Sequence, residues 1–345
     1  MEKKLQIEFA GGGTGGQLFP ALAVSDELRQ RHPDAEIRFS GARRGLARRL
    51  VPQAGYPLLA LRLSGIKGRG GGARLLAAAA AGWAVLRCLA RMLVRRPDLV
   101  VGVGGYASGP AVLAATLLGI RTMIMEQNHF PGATNRWLAP RVDLVCVPSD
   151  EARRRLGGRC LVTGNPVRPE FAAIGEPPGG ETLSLLVFGG SRGARSINRA
   201  VAGALPRLAA TERPPRIVHQ TGAEDEASMR EAYRSYPEER HEVLAFIDDM
   251  PARLAAADLV VCRAGASTLA EITVAGRPAI LVPFPHAADD HQRHNAETLQ
   301  ASGAAVVVRD DELDGGRLAE RIEELVSSPE RRAQMGRAAR RLARP

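Results

Sequence analysis

Leu5-Gln-Ile-Glu-Phe-Ala-Gly-Gly-Gly-Thr-Gly-Gly16 and Leu183-Ser-Leu-Leu-Val-Phe-Gly-Gly-Ser-Arg-Gly-Ala194 share one plan: an apolar run, a glycine-rich turn, then the start of a helix-like segment. A second pair follows downstream. Asp98-Leu-Val-Val-Gly-Val-Gly-Gly-Tyr-Ala-Ser108 lines up with Asp258-Leu-Val-Val-Cys-Arg-Ala-Gly-Ala-Ser-Thr268, and Gly119 with its strand lines up with Gly276 and its strand. Three elements in the same order at similar spacing mark two copies of one architecture in tandem. Within each copy short β-branched runs alternate with Ala/Leu/Arg-rich segments, the pattern of a parallel sheet with crossover helices. Strands are expected at 5–9, 36–40, 99–103, 122–126, 144–147, 183–188, 216–220, 243–246, 259–262, 279–282 and 305–308. Asn165-Pro166, Pro177-Pro178 and Gly179-Gly180 punctuate the chain between the copies. The expected fold is therefore α/β, with Rossmann-like domains at 1–165 and 166–345 whose parallel sheets face each other across a cleft. Ligands of such sheets sit beyond the carboxyl ends of the strands. A donor held by one half and an acceptor held by the other would suit that geometry.

The 345 residues, 45% hydrophobic and 24% charged, suffice for two domains with real cores at roughly 100–200 residues per domain. Disorder, collagen-like structure and a disulfide scaffold are set aside on composition. Cys88, Cys146, Cys160 and Cys262 are scattered without a C-x-x-C pair, which argues against structural zinc and fits a reducing compartment. A strand expected almost at the first residue leaves no room for a signal peptide. The longest apolar run, Leu75–Leu86, is shorter than the roughly 20 residues a bilayer core requires, and Arg87 and Arg91 follow it, so no spanning segment is expected. The net charge of +10 favours an anionic partner. Nucleic acid is not expected, because aromatics are only 4% and no RNA- or DNA-binding motif is present.

Gly11–Gly16 satisfies G-x-G-x-x-G, but the second strand ends Phe39-Ser40-Gly41-Ala42-Arg43-Arg44 without the acid that a dinucleotide site needs. NAD is disfavoured. What remains is a set of backbone N–H groups at a helix start, which suits an anion. The alternative is a glycine turn that merely lets a helix pack on a strand, and two matched loops weigh towards phosphate. In the second loop, Ser191 can donate to a phosphate oxygen. Gly265-Ala266-Ser267-Thr268-Leu269-Ala270-Glu271 is a third anion-ready turn, with a carboxylate one helical turn inside that could accept from two vicinal hydroxyls of a ribose. Asp289-Asp290-His291-Gln292-Arg293-His294-Asn295 offers polar groups for sugar hydroxyls or is a solvated helix start. No D-x-D occurs, so no metal site is expected, and helix N-termini with Arg168 would have to neutralise a diphosphate.

These residues form a larger set: Gly12–Gly16 with Phe19-Pro20-Ala21-Leu22-Ala23, Gly104–Pro110, Glu126-Gln127-Asn128, Gly164–Arg168, Gly189-Gly190-Ser191, His219-Gln220-Thr221-Gly222, Phe246–Met250 and Arg263–Glu271. In this order, from about residue 5 to about 343, they resemble the MurG family (glycosyltransferase family 28). The resemblance implies a GT-B fold. It also implies an inverting transfer of N-acetylglucosamine (GlcNAc) from UDP-GlcNAc to the 4-hydroxyl of N-acetylmuramic acid (MurNAc) in lipid I, undecaprenyl-pyrophosphoryl-MurNAc-pentapeptide, giving lipid II for peptidoglycan. No cofactor is implied. By position the donor site would use Thr14, Gly15, Gly16, Asn128, Arg168, Ser191, Ile247, Ala266, Ser267, Thr268, Leu269, Ala270, Glu271 and Gln292. Ile247 would meet uracil through its backbone, and Gly104, Gly105, Tyr106 and Ser108 would lie on the acceptor side. Attachment to the cytoplasmic face of the cell membrane is implied as well, alongside other cell-wall synthesis and division proteins. The matching segment, Ile66–Arg96, holds Arg69, Arg74, Leu75, Trp83 and Arg87, apolar groups with basic flanks suited to an anionic lipid surface; a core-packing helix is the other reading.

Two departures stand out. The family's first loop ends Gly-Gly-His, its favoured general base, whereas this chain has Gln17. A carboxamide positions a hydroxyl but does not take its proton at neutral pH. His129 and then Glu126 are the nearest substitutes by motif position, and a binding protein without turnover is an alternative. The second departure is the end of the chain at Arg341–Pro345, where a further family helix is expected and not found. Another nucleotide-sugar transferase of the same fold, acting on a glycolipid or natural product, is the other enzymatic reading.

Overall fold

Asp98 and Asp258, paired by the repeat, make the same bonds. In the computed structural model, which describes residues 4–13, 15–43, 46–61, 71–190, 193–287 and 290–344 (residues 71–75 by backbone only), the Gln6 N–H donates to Asp98 Oδ2 at 2.9 Å and the Ser184 N–H to Asp258 Oδ2 at 2.8 Å. The Asp98 N–H donates to the Gln6 carbonyl and the Asp258 N–H to the Ser184 carbonyl. Each aspartate locks the strand it precedes to the first strand of its own half.

The chain divides after Val167 into two units. The first holds strands β1 Gln6–Ala10, β2 Glu36–Ala42, β3 Leu58–Leu61, β4 Leu99–Gly102, β5 Arg121–Met125, β6 Leu144–Val147 and β7 Cys160–Val162. The second holds β8 Ser184–Phe188, β9 Arg216–Gln220, β10 His241–Leu244, β11 Leu259–Cys262, β12 Ala279–Leu281 and β13 Ala305–Val307. Every pairing is parallel, in the orders β3-β2-β1-β4-β5-β6-β7 and β10-β9-β8-β11-β12-β13. The orders superimpose with β8 in the place of β1 and β11 in the place of β4, so the repeat is one of topology. Strand order reverses at β1/β4 and at β8/β11, which puts the glycine-rich turns at the two switch points where ligands of such sheets bind.

The helices are α1 Gly15–Arg31, α2 Ala47–Gln53, α3 Gly71–Val94, α4 Gly109–Leu117, α5 Ala133–Leu138, α6 Asp150–Leu156 and α7 Pro169–Ala172, then α8 Arg195–Ala209, α9 Glu226–Ala232, α10 Met250–Ala255, α11 Ala266–Ala275, α12 His291–Ala301, α13 Gly315–Val326 and α14 Pro329–Leu342. They cover sheets whose strands are near-continuous apolar runs, as burial on both faces demands. In the second unit Leu185, Val187, Ile217, Leu259 and Val261 pack on Ile197, Val201 and Leu205 of α8 and Leu318 and Ile322 of α13. Arg277 is fully buried and donates to the carbonyls of Leu254, Ala255, Ala275 and Gly175. The first three lie at the C-terminal ends of α10 and α11, where a cation is favoured by the helix dipole.

Three expectations are corrected. Strands β3 and β7 are missing from the sequence reading because both are short edge strands: Leu58-Leu-Ala-Leu61 has no β-branched residue, and Cys160-Leu-Val162 is three residues long. The strand expected at 243–246 runs instead from His241 to Leu244, because Ala245–Ile247 already forms the loop beyond the sheet. The apolar run at 75–86, expected to be too short to span a bilayer, is only part of a longer apolar stretch. Helix α3 continues to Val94, and its Leu76–Val94 part is long and apolar enough to cross a membrane by length and composition, with a mean hydropathy of 1.5. In the fold one side of it packs inward through Ala84, Cys88 and Met92, beside Val100, Val112 and Ile124. The other side leaves Leu76, Trp83, Leu86, Leu93 and Val94 exposed, Trp83 at 63% and Leu93 at 69%.

Candidate functional site

In the first unit, β4 runs out into Gly104 and Gly105, both at positive φ (88° and 72°). The Gln17 side chain, from the first turn of α1, lies directly over Gly105. A β-carbon there would sit 2.8 Å from Gln17 Oε1 and 2.9 Å from Nε2, so the carboxamide occupies the space over this left-handed glycine. A β-carbon on Gly104 would meet Gln127 Oε1 at 3.4 Å, Asn135 Nδ2 at 3.6 Å and Gln17 Nε2 at 3.6 Å. Three carboxamides thus converge on this turn. Ser108 Oγ donates to the Gly105 carbonyl at 2.9 Å and is buried, whereas Tyr106 is exposed.

Glu126, at the end of β5, is buried and engaged on both oxygens. Oε1 accepts from the Asn128 N–H and Asn128 Nδ2, and Oε2 from the Gly132 N–H and Asn135 Nδ2, all at 2.9–3.0 Å. Four donors saturate a carboxylate. Glu126 thereby shapes the 126–135 loop and holds the Asn128 amide. Asn135 Oδ1 is buried without a partner among the described residues. His129 Nδ1 lies 2.8 Å from Ser149 Oγ, the N-cap of α6, and burial lowers the imidazole's pKa.

In the second unit the turn after β8 folds back on β9, and Gly193, at φ 74°, lies where a β-carbon would be 1.8 Å from the Thr221 carbonyl oxygen. Helix α11 opens at Ala266 after an extended Gly265, so the Ala266, Ser267 and Thr268 N–H groups have no partner within the helix. Leu269 is buried under that first turn. Glu271, one turn further in, has its pKa raised by burial to about 7, against the lowering pull of the Arg168 guanidinium. Arg168 stacks on Phe171 at 4.9 Å, and its buried Nε has no hydrogen-bond partner among the described residues. Ile247 is buried, and its N–H donates to Gln220 Oε1 at 3.2 Å. Gln292 accepts the Phe284 N–H at 3.0 Å, tying the start of α12 to the loop after β12.

Residues 7–147 match the glycosyltransferase family 28 N-terminal domain, and residues 184–344 match the glycosyltransferase family 28 C-terminal domain. This chain belongs to glycosyltransferase family 28. It is 46% identical over 348 residues to a Citrifermentans bemidjiense protein, covering 98% of this chain and 96% of that one. It is 45% identical to a Myxococcus xanthus protein, covering 99% and 90%. Both carry the name UDP-N-acetylglucosamine–N-acetylmuramyl-(pentapeptide) pyrophosphoryl-undecaprenol N-acetylglucosamine transferase. Among solved structures it is similar to Acinetobacter baumannii MurG, with a TM-score of 0.79 at 31% identity over 99% of this chain and 96% of that one. The S. aureus MnaA-UDP co-structure, at a TM-score of 0.69 and 14% identity over 99% and 93% of the chains, shares the fold.

As a family 28 glycosyltransferase with the two-domain α/β architecture of the GT-B class, the chain gathers the expected residues into two groups. Gln17, Gly104, Gly105, Glu126 and Asn128 come together at the ends of β1, β4 and β5, with Gly15 and Gly16 opening α1. Arg168, Ile247, Ala266–Glu271 and Gln292 belong to the second unit. Thr14, Ser191 and Arg69 lie outside the described residues, as do the side chains of Arg74 and Leu75. Gln127, Asn135 and Gln220 were quoted or passed over as motif letters without a role. A polar side chain beside a strand end was their only signal. Among the described residues no group of three or more His, Cys, Asp or Glu is placed to hold a metal ion.

Proposed function

We propose that this chain transfers GlcNAc from UDP-GlcNAc to the MurNAc 4-hydroxyl of lipid I with inversion. The observation that carries the reading is identity of 45–46% along nearly the whole chain to relatives named for that transfer. In the reaction the bond from the sugar's anomeric carbon to the diphosphate breaks, UDP leaves with the electron pair, the MurNAc oxygen bonds to the same carbon from the opposite face, and its proton is released. The α11 N-terminus and Arg168, whose Nε–H has no partner among the described residues, supply positive potential for the diphosphate. Ionised Glu271 accepts the ribose hydroxyls, and the Ile247 backbone faces the base. Gly104, Gly105, Tyr106 and Ser108 face the acceptor, Gln17 takes the position of the family's base, and Asn128 serves the donor. The test is transfer of labelled GlcNAc to a lipid I analogue without added metal, run beside UDP-GlcNAc binding on the same sample. Transfer is expected, and absence of donor binding overturns the reading.

We further infer that the protein works as a peripheral enzyme on the cytoplasmic face of the membrane, held by the exposed side of α3. Leu76, Trp83, Leu86, Leu93 and Val94 line that side. A cavity of about 330 Å³ beside it is lined by Arg43, Ala60, Leu61, Trp83, Ala84 and Arg87. Apolar groups with guanidinium flanks suit anionic lipid. The double substitution Trp83→Glu with Leu86→Glu is expected to lower binding to phosphatidylglycerol vesicles at least about ten-fold, the order expected for two lost interfacial anchors. Transfer to a soluble lipid I analogue should stay unchanged. Vesicle binding at the wild-type level would exclude α3 as the docking element.

A further inference from the structure

Gln220 ends β9 between two strands whose exits build different parts of the proposed donor site. The register places it beside Phe188 of β8 and Leu244 of β10. Phe188 leads into Gly189 and Gly190, and Leu244 leads into Ala245–Ile247. The side chain, 2% exposed, reaches both: Nε2 donates to the Gly190 carbonyl at 2.7 Å, and Oε1 accepts the Ile247 N–H at 3.2 Å. Only a carboxamide of this length offers a donor at one corner and an acceptor at the other.

Its neighbours hold it there. His219 is fully buried, and burial drops its pKa to about 3, so the ring is neutral. It lies 3.1 Å from Asn198 Oδ1 through Nε2 and 3.2 Å from the Tyr233 hydroxyl through Nδ1. Asn198 Nδ2 donates in turn to the Thr221 carbonyl at 2.9 Å and to Asp225 at 2.8 Å. Thr221 donates its N–H to the Leu244 carbonyl. With the residues on either side pinned, the Gln220 carboxamide is a buried strut, and losing its bonds costs the spacing it holds.

We propose that Gln220 is a positioning residue that sets the spacing between the phosphate-side turn at Gly190 and the base-side segment at Ile247, so that both ends of a nucleoside diphosphate are held at once. This rests on the reading of the second unit as the UDP-GlcNAc site. Two contacts linked at the right span reinforce each other far beyond either alone, and loosening the link costs the linked ligand while sparing its fragments.

The test compares Gln220→Leu and Gln220→Glu with the wild type in the full-length protein, using UDP, uridine and inorganic pyrophosphate as probes. Gln220→Leu removes both bonds. The expected result is UDP affinity lowered at least about ten-fold, with uridine and pyrophosphate each within about two-fold, because only the coupling is lost. The KM for UDP-GlcNAc rises by the same factor, and kcat at saturating donor is retained. Gln220→Glu keeps the acceptor for Ile247 and loses the donor to Gly190, so it weakens UDP and leaves uridine alone; being nearly isosteric, it carries the test if the leucine variant does not fold. Wild-type UDP affinity in both variants overturns the proposal, and so does a fall in kcat with KM unchanged or an equal loss for UDP and uridine. A wild-type protein that binds no UDP-GlcNAc overturns the donor-site reading and the proposal with it, a result distinguishable because no substitution is involved.

Discussion

Gln17→His raises turnover at neutral pH by about 10²-fold or more, the scale of general-base assistance, while the KM for UDP-GlcNAc moves by less than about two-fold. The acceptor hydroxyl must lose a proton as its oxygen attacks, and the first-unit turn now offers three carboxamides, Gln17, Gln127 and Asn135, none of which takes a proton at neutral pH. Glu126 does not replace the missing base, since its two oxygens already accept four N–H bonds that shape the 126–135 loop. His129 is turned to the cap of α6. An imidazole at position 17 would sit over Gly105, where the carboxamide now lies, with a nitrogen able to accept the proton. The pH profile is the sharper readout: the variant's kcat should acquire an acid limb near an imidazole pKa that the parent lacks. Unchanged turnover with an unchanged profile would mean that proton removal at this position does not limit the rate.

Glu271→Ala raises the KM for UDP-GlcNAc by about 100-fold, because hydrogen bonds to a charged group are worth about 1.5–3 kcal/mol each and two ribose hydroxyls are involved. The pKa of Glu271, raised by burial to about 7, makes the same contact pH-dependent. Below pH 7 the carboxyl is increasingly protonated and donor binding weakens; the wild-type KM should fall about ten-fold between pH 6 and pH 8, following the ionised fraction. Glu271→Gln removes that dependence. In the ligand-free protein the sign for stability is opposite. The folded state holds this proton more tightly than the unfolded chain, whose value is the ordinary 4.5, so the stabilisation from this group is complete below about 4.5 and is lost as pH rises through about 7. A KM in Glu271→Ala at the wild-type level would exclude Glu271 as the ribose acceptor, and a wild-type KM flat across that range would place its titration outside pH 6–8.

Most of the scaffold was legible from periodicity and repetition. The two glycine turns and the paired Asp98 and Asp258 anticipated the two sheets, and those aspartates proved to hold equivalent strand starts. Edge strands escaped because their pairing is one-sided and their residues, as in Leu58–Leu61, carry weak β preference. That α3 holds a stretch long and apolar enough to cross a membrane escaped for a different reason. Arg87 looks like an interruption in one dimension, but on a helix it falls on the exposed side while Ala84 and Cys88 fall on the buried one.

The sequence by itself determined which half carries which glycine turn, the family, and the substitution of Gln17 for a histidine, because these depend on residue type and order along the chain. Only the tertiary structure decided what the polar side chains at the strand ends do. Gln220 serves the Gly190 and Ile247 loops because strand order sets β9 between β8 and β10. Glu126 is spent on its own loop because β5 delivers it, buried, beneath Asn128, Gly132 and Asn135. A carboxylate or carboxamide carries the same letter whether its lone pairs are free or filled, and only the fold brings up the donors that fill them.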